Sequence, residues 1–251
     1  MWWWFLGCPH RAPDPAVELA RLLAAADAAW DDRLALGYDA AARPLLEAFA
    51  AAPDDPDVQW RLARWRLAEG LATDDPALAR SSFAEARAVA VGCVERDPGF
   101  AARKARGGWV SALTGLEPER VPCAAWGALA WSRWLERHGP EAASLDLPAI
   151  DALVDAGHAA DDPAVRGIAD WAGGLVDAIR PEWAGRDLVA AKTQLQQAIG
   201  AEPTDLSRQV DLYLWITVPA GTDQERDALQ KRILGLPVHS PEDERARIRA
   251  Q

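Results

Sequence analysis

Asp55-Pro56-Asp57-Val58-Gln59-Trp60-Arg61-Leu62-Ala63-Arg64-Trp65-Arg66-Leu67-Ala68-Glu69-Gly70 is the stretch that decides the fold class. Asp55 offers an N-cap acceptor. Pro56 follows at the first helical position, where its missing N–H costs nothing and its φ is already set. Gly70 stands where such a helix should stop. The stretch predicts a helix over 56–70, and its opening recurs at Asp75-Pro76, Asp97-Pro98 and Asp162-Pro163. Asp205 and Asp223 also fall at cap positions, and Gly139 and Gly200 at stops. Reading outward places helices at about 15–31, 38–52, 56–70, 75–96, 99–114, 119–137, 147–158, 163–178, 187–200, 205–217, 223–235 and 241–249. Pro44 is the discordant residue, because it interrupts 38–52 unless that helix starts near Arg43 or kinks.

Composition agrees. Of 251 residues, 53 are alanine, the residue of highest helix propensity. No β-branched or aromatic run alternates long enough for a convincing strand. The chain is therefore expected to be all-α. Its net charge of −11 comes without a basic stripe, which excludes nucleic acid and a broad basic face on anionic lipid. Three cysteines, Cys8, Cys93 and Cys123, are too few for a disulfide framework and too far apart for a zinc site.

The spacing of the punctuation suggests an architecture. Pro56 and Pro98 lie 42 positions apart, Pro163 and Pro203 lie 40 apart, and each interval holds two predicted helices. Helix pairs at a fixed period are the signature of an α-solenoid of about 10–12 antiparallel helices, tetratricopeptide-like or, at this period, HEAT-like. Local texture favours the tetratricopeptide-like form. Leu36-Gly37-Tyr38, Ala41, Leu45, Ala48 and Pro53 follow the order of a second helix; Trp60, Leu62, Ala63, Leu67 and Gly70 follow that of a first. Residues 138–160 are less regular and are read as an insertion or hinge inside one continuous domain, 16–251.

The start of the chain is Met1-Trp2-Trp3-Trp4-Phe5-Leu6-Gly7-Cys8, followed by a Pro-rich segment. Seven apolar residues cannot span a bilayer, which takes about 20 in a helix. Phe5-Leu6-Gly7-Cys8 looks like the end of a bacterial lipoprotein signal. On that reading 1–8 is a truncated signal, Cys8 is the lipidation site, and 9–15 is a tether. The alternative is a cytoplasmic N-terminus in which the aromatics form a buried plug.

Tryptophan is the strongest candidate for a ligand site. Trp126, Leu129, Ala130 and Trp134 fall on one face of helix 119–137, while Trp131 lies about 140° away from Trp126. Trp60 and Trp65 pose the same question on helix 56–70. These four indoles, Trp60, Trp65, Trp126 and Trp134, either fill a core or line an apolar ligand site. Trp183 and Trp215 are read as core only. Gly107-Gly108 and Gly173-Gly174 sit inside predicted helices and imply close helix contact. His10, His138, His158 and His239 are isolated, with no partner at metal or catalytic spacing. Cys93 and Cys123 are read as buried free thiols, although they can pair in an oxidising compartment. The acidic pairs at 31–32, 54–55, 74–75 and 161–162 fall at turns, as helix caps. No metal or cofactor motif and no nucleophile motif appears, so no enzymatic activity and no cofactor are expected.

Three blocks carry a family resemblance. They are Leu36-Gly37-Tyr38 through Trp60-Arg61-Leu62-Ala63-Arg64; Ala84-Glu85-Ala86 with Asp97-Pro98 and Ala124-Ala125-Trp126-Gly127-Ala128-Leu129-Ala130-Trp131-Ser132-Arg133-Trp134; and Leu188 to Pro203. In this order the chain resembles the T component associated with tripartite ATP-independent periplasmic (TRAP) transporters, a family of helical tetratricopeptide-like lipoproteins. The truncated signal, the segment after Trp134 and the charged C-terminal helix depart from that pattern. The resemblance implies a periplasmic protein, anchored to the membrane only by lipid, that works beside the transporter's soluble substrate-binding protein. It also implies a sheltered small hydrophobic ligand, and it leaves a homo-oligomer open. The alternative is a tetratricopeptide-like lipoprotein scaffold for protein–protein contacts in the envelope.

Overall fold

Asp14, Asp55, Asp75 and Asp162 each turn a carboxylate oxygen onto the backbone N–H two residues on, with proline in between. Those four caps open α1 (Pro15–Asp31), α4 (Pro56–Ala72), α5 (Pro76–Glu95) and α9 (Pro163–Ile179). The computed structural model describes residues 14–139 and 145–251. Cys8, the signal-like segment, most of the tether and His10 lie outside the described residues. Among the described residues every regular element is helical, so the chain is all-α. None of these helices is long and apolar enough to cross a membrane.

The other helices are α2 (Arg33–Leu36), α3 (Tyr38–Ala51), α6 (Phe100–Leu113), α7 (Val121–His138), α8 (Leu147–His158), α10 (Leu188–Ala201), α11 (Leu206–Asp211), α12 (Val218–Ala220), α13 (Asp223–Gly235) and α14 (Pro241–Arg249). Leu212–Thr217, between α11 and α12, is π-helical. Packing follows chain order through the middle of the molecule: α1 on α3, α3 on α4, α4 on α5, α5 on α7, α7 on α9 and α9 on α10. The last helix breaks that order. α14 returns to pack on α4 and α11, which brings the C-terminal segment against the first third of the chain.

Several local expectations need correction. Asp97-Pro98 does not start a helix. Asp97 is buried, accepts from Arg103 and from the Glu117 N–H, and leaves Gly99, at φ +82°, to enter α6. Gly70 does not end α4; it makes room for the Phe83 ring, which a Cβ there would meet at 2.5 Å. The cap of α13 is Thr222, in a capping box with Glu225, and Asp223 is the first helical residue. Pro44 sits within α3 without ending it, because Ala41, Ala42, Leu45 and Ala48 bury the face that holds the helix in place. Gly107-Gly108 is a break in α6, with Gly108 at φ +67°, and not a helix–helix contact. Beyond that break Trp109 packs edge-on to Phe100 and Trp131. Gly174 does mark close approach: a Cβ there would lie 3.0 Å from the Ala191 carbonyl of α10.

The buried thiols are also corrected. Cys93 and Cys123 form a disulfide that ties α5 to α7, with Cα atoms 6.2 Å apart. Within the irregular middle stretch, α8 buries Leu147, Ile150 and Leu153 against the central cluster, and its Gly157 faces Ala125 and Ala169.

Candidate functional site

A cavity of about 370 Å³ opens where α14 returns to the N-terminal helices. That is near the lower end of the usual size range for ligand pockets. Trp126 of α7 and Trp171 of α9 line it. One wall comes from the first third of the chain: Trp30, Arg33, Arg64, Leu67 and Leu71. The facing wall comes from the last fifth: Asp205, Ser207 and Arg208 of the α11 region, and His239, Ser240, Glu242 and Asp243 of the α14 region. Asp31 and Glu202 are exposed at the rim.

Most charges in the cavity are already answered. Arg33 Nε donates to Glu242 Oε1 at 2.9 Å, and the Tyr38 hydroxyl donates to Glu242 Oε2 at 2.5 Å. Burial, with Glu242 beside it, pushes the Tyr38 hydroxyl far above the usual phenol range, so it stays protonated as a donor. Asp205 caps α11 and accepts from Arg208 Nε at 3.0 Å. Burial raises the Asp205 carboxyl, with Asp243 and Glu242 adding to the effect against Arg208. Asp243 is spent on the backbone, accepting from the Leu206 and His239 N–H groups.

Arg64 and Ser207 differ. Arg64 has one hydrogen bond among the described residues, Nη2 to Asp27 Oδ1 at 3.2 Å, and its Nε has no partner. Its guanidinium lies over the Trp30 ring at 4.0 Å and the Trp60 ring at 5.1 Å. Burial brings its pKa down to about 10, more than Asp27 restores. The Ser207 hydroxyl is buried and unpartnered. The cavity thus combines indole and leucine surface with the guanidinium of Arg64, a combination suited to a small molecule with an apolar body and a polar end.

The four candidate indoles separate. Trp126 lines the cavity. Trp65 is buried in the N-terminal cluster, edge-on to Trp30 and Tyr38 at 5.5 Å, beside a smaller recess of about 250 Å³. Trp60 lies outside the cavity, donating to Asp57 at 2.9 Å with Arg61 and Arg64 over its ring. Trp134 also lies outside it, stacked on His138 at 4.0 Å. Trp30 and Trp171 are the lining residues that sequence reasoning missed. Each is a single indole on its own helix, without the paired spacing that singled out the others. Trp183, read as core, is 68 % exposed. His158 is not isolated: its Nε2 lies 3.0 Å from Asp170 of α9. In sequence comparisons, no protein family and no curated protein matches the chain.

Proposed function

We propose that this chain is a binding and adaptor component of a TRAP-type uptake system. On this reading it shelters a small, largely apolar ligand in the cavity lined by Trp126 and Trp171 and performs no chemistry of its own. The observation that carries the ligand-sheltering part is the cavity: three indoles and two leucines line it together with Arg64, which has a single hydrogen bond among the described residues. Three ordered sequence blocks support the transporter association. The Cys93–Cys123 disulfide supports an oxidising, extracytoplasmic setting, because such bonds persist in the periplasm and are rare in the cytosol. Lipidation at Cys8 completes the proposal, with the protein held at a membrane and its helices facing the transporter's soluble binding protein.

The test is a titration with an apolar fluorescent probe that carries a single anionic group. Saturable one-to-one binding, displaced by small molecules released from protein purified from its native host, is the expected result. Absence of saturable binding removes the sheltering role and leaves the envelope scaffold. Co-purification with the transporter's soluble binding protein tests the adaptor role separately. In protein expressed from an upstream start that completes the signal, Cys8→Ala is expected to move the protein from the membrane to the soluble fraction, and unchanged fractionation would reject the anchor.

A further inference from the structure

Arg64, Leu67, Ala68 and Leu71 stand at i, i+3, i+4 and i+7 on α4, and all four line the cavity. α4 thus gives the cavity a stripe about 10 Å long, with a guanidinium at one end and apolar side chains along the rest. Leu67 and Trp171 belong to the central apolar cluster, and Leu71 and Trp126 pack against it. Two other arginines line the cavity, and both are taken. Arg33 donates to Glu242 and to the Trp30 carbonyl, and Arg208 donates to Asp205 and, at 2.7 Å, to the Ala198 carbonyl. Arg64 has to share its carboxylate. Arg61 already grips Asp27 with two bonds, Nε to Oδ1 at 3.0 Å and Nη2 to Oδ2 at 2.8 Å. A guanidinium carries five N–H donors. Arg64 spends one of them among the described residues, with its side chain only 17 % exposed. Charge so far out of water is costly unless a partner answers it.

We infer that the sheltered ligand is an apolar-tailed monocarboxylate, its carboxylate paired with Arg64 and its tail laid against Leu67, Leu71 and Trp126. The inference rests on the ligand-sheltering reading above and adds the chemical class. The planar fork of Arg64 matches a carboxylate through two parallel N–H···O bonds, a match that an alcohol cannot make. A cationic ligand finds no free acid inside. Glu242 is held by Arg33 and Tyr38, Asp205 by Arg208, and Asp243 by two backbone N–H groups. A second anionic group on the ligand is disfavoured too. Asp31 and Glu202 stand exposed at the rim, and the chain carries a net charge of −11. A dianion would meet like charge at the mouth or bury its second charge against indole and leucine.

The test is isothermal titration calorimetry of the full chain at neutral pH with three compounds of one chain length: octanoate, octanol and octanedioate. Octanoate is expected to bind at least about tenfold more tightly than either of the others, the gain from hydrogen bonds between charged groups. Arg64→Gln should remove that advantage and leave octanol binding within about twofold of wild type. Should Arg64→Gln not fold, Arg64→Lys decides: a compact ammonium cannot form the two-bond pair, so the octanoate advantage should shrink while octanol binding holds. Octanol or octanedioate binding as tightly as octanoate overturns the monocarboxylate, as does an octanoate advantage that survives intact in both variants. Either result leaves a sheltered ligand of another class. If none of the three binds while the fluorescent probe still does, the monocarboxylate is again overturned and the sheltering role stands. If the probe fails as well, the sheltering role falls and takes this inference with it.

Discussion

Trp171, which lines the cavity, donates its indole N–H to Asp211 Oδ2 at 2.6 Å, and the same oxygen pairs with Arg133. Arg133 and Asp211 are among the most buried side chains in the molecule, and Arg133 also donates to Glu136 at 2.8 Å. Burial alone would pull the Arg133 pKa down, but Asp211 and Glu136 outweigh it and drive the value up, so the guanidinium stays charged. Trp171, which lines the cavity, is therefore held by a buried ionic cluster.

That cluster makes Asp211 a sensitive position. Asp211→Ala leaves Arg133 with Glu136 as its one carboxylate partner and the Trp171 N–H with none, and removing one member of a buried pair costs about 3–5 kcal/mol. Trp171→Phe removes one hydrogen bond while keeping most of the ring, so it should cost about 1–3 kcal/mol. Urea unfolding followed by far-ultraviolet circular dichroism measures both. Equal, small losses would mean that Arg133 finds another partner or water, and the cluster would not be the support described.

Trp126→Ala is expected to weaken probe binding about tenfold, equivalent to about 1.4 kcal/mol. Trp134→Ala should leave it within about twofold, a difference of roughly 0.4 kcal/mol. The two indoles share a helix face by count, but eight residues separate them, or about 12 Å along the axis. The cavity ends before that point, and Trp134 stacks on His138 outside it. Equal weakening by both substitutions would place the probe elsewhere. A fluorescence titration of each variant distinguishes the cases.

The same comparison shows what could be read from sequence alone. Helix starts were legible because Asp-Pro encodes its own cap within two residues. Asp97-Pro98 shows the limit: the same dipeptide became a buried acceptor, since its partners Arg103 and Glu117 were invisible to a two-residue signal. Periodicity found Trp126, which lies on α7's inward face, but could not tell how far along the helix the cavity runs. The cavity as a whole was not legible, because its walls come from residues 30–71 and 202–243 and meet only when α14 folds back. The Cys93–Cys123 pairing fails for the same reason, since 30 positions separate the partners.

That disulfide gives a third expectation. Closing a loop of this length restricts the unfolded chain and stabilises by about 2–4 kcal/mol on the chain-entropy account. Cys93→Ala with Cys123→Ala should lower the urea midpoint accordingly, and reductant should have no further effect on the double variant. Intact mass after alkylation of the unfolded, unreduced protein checks the bond itself: neither Cys93 nor Cys123 should label. Labelling of both would remove the bond, and with it the support it lends to an oxidising compartment.

The His158–Asp170 contact between α8 and α9 makes a prediction in pH. The hydrogen bond that the protonated ring donates to Asp170 raises the imidazole pKa above its ordinary 6.5, against an opposing effect of partial burial. A raised value in the folded state means that folding favours the protonated ring. The stabilisation is therefore complete below about pH 6.5, the unfolded value, and fades as the pH rises through the folded one. The side chain is about a third exposed, so the effect is modest and weakened by salt. Comparing wild type with His158→Gln from pH 5 to pH 9 should show a Tm difference that is largest at the acid end and absent at the alkaline end. Proton NMR of the His158 ring should give a midpoint above 6.5. A midpoint at or below that value, or a Tm difference that grows with pH, would show that Asp170 does not hold the protonated ring.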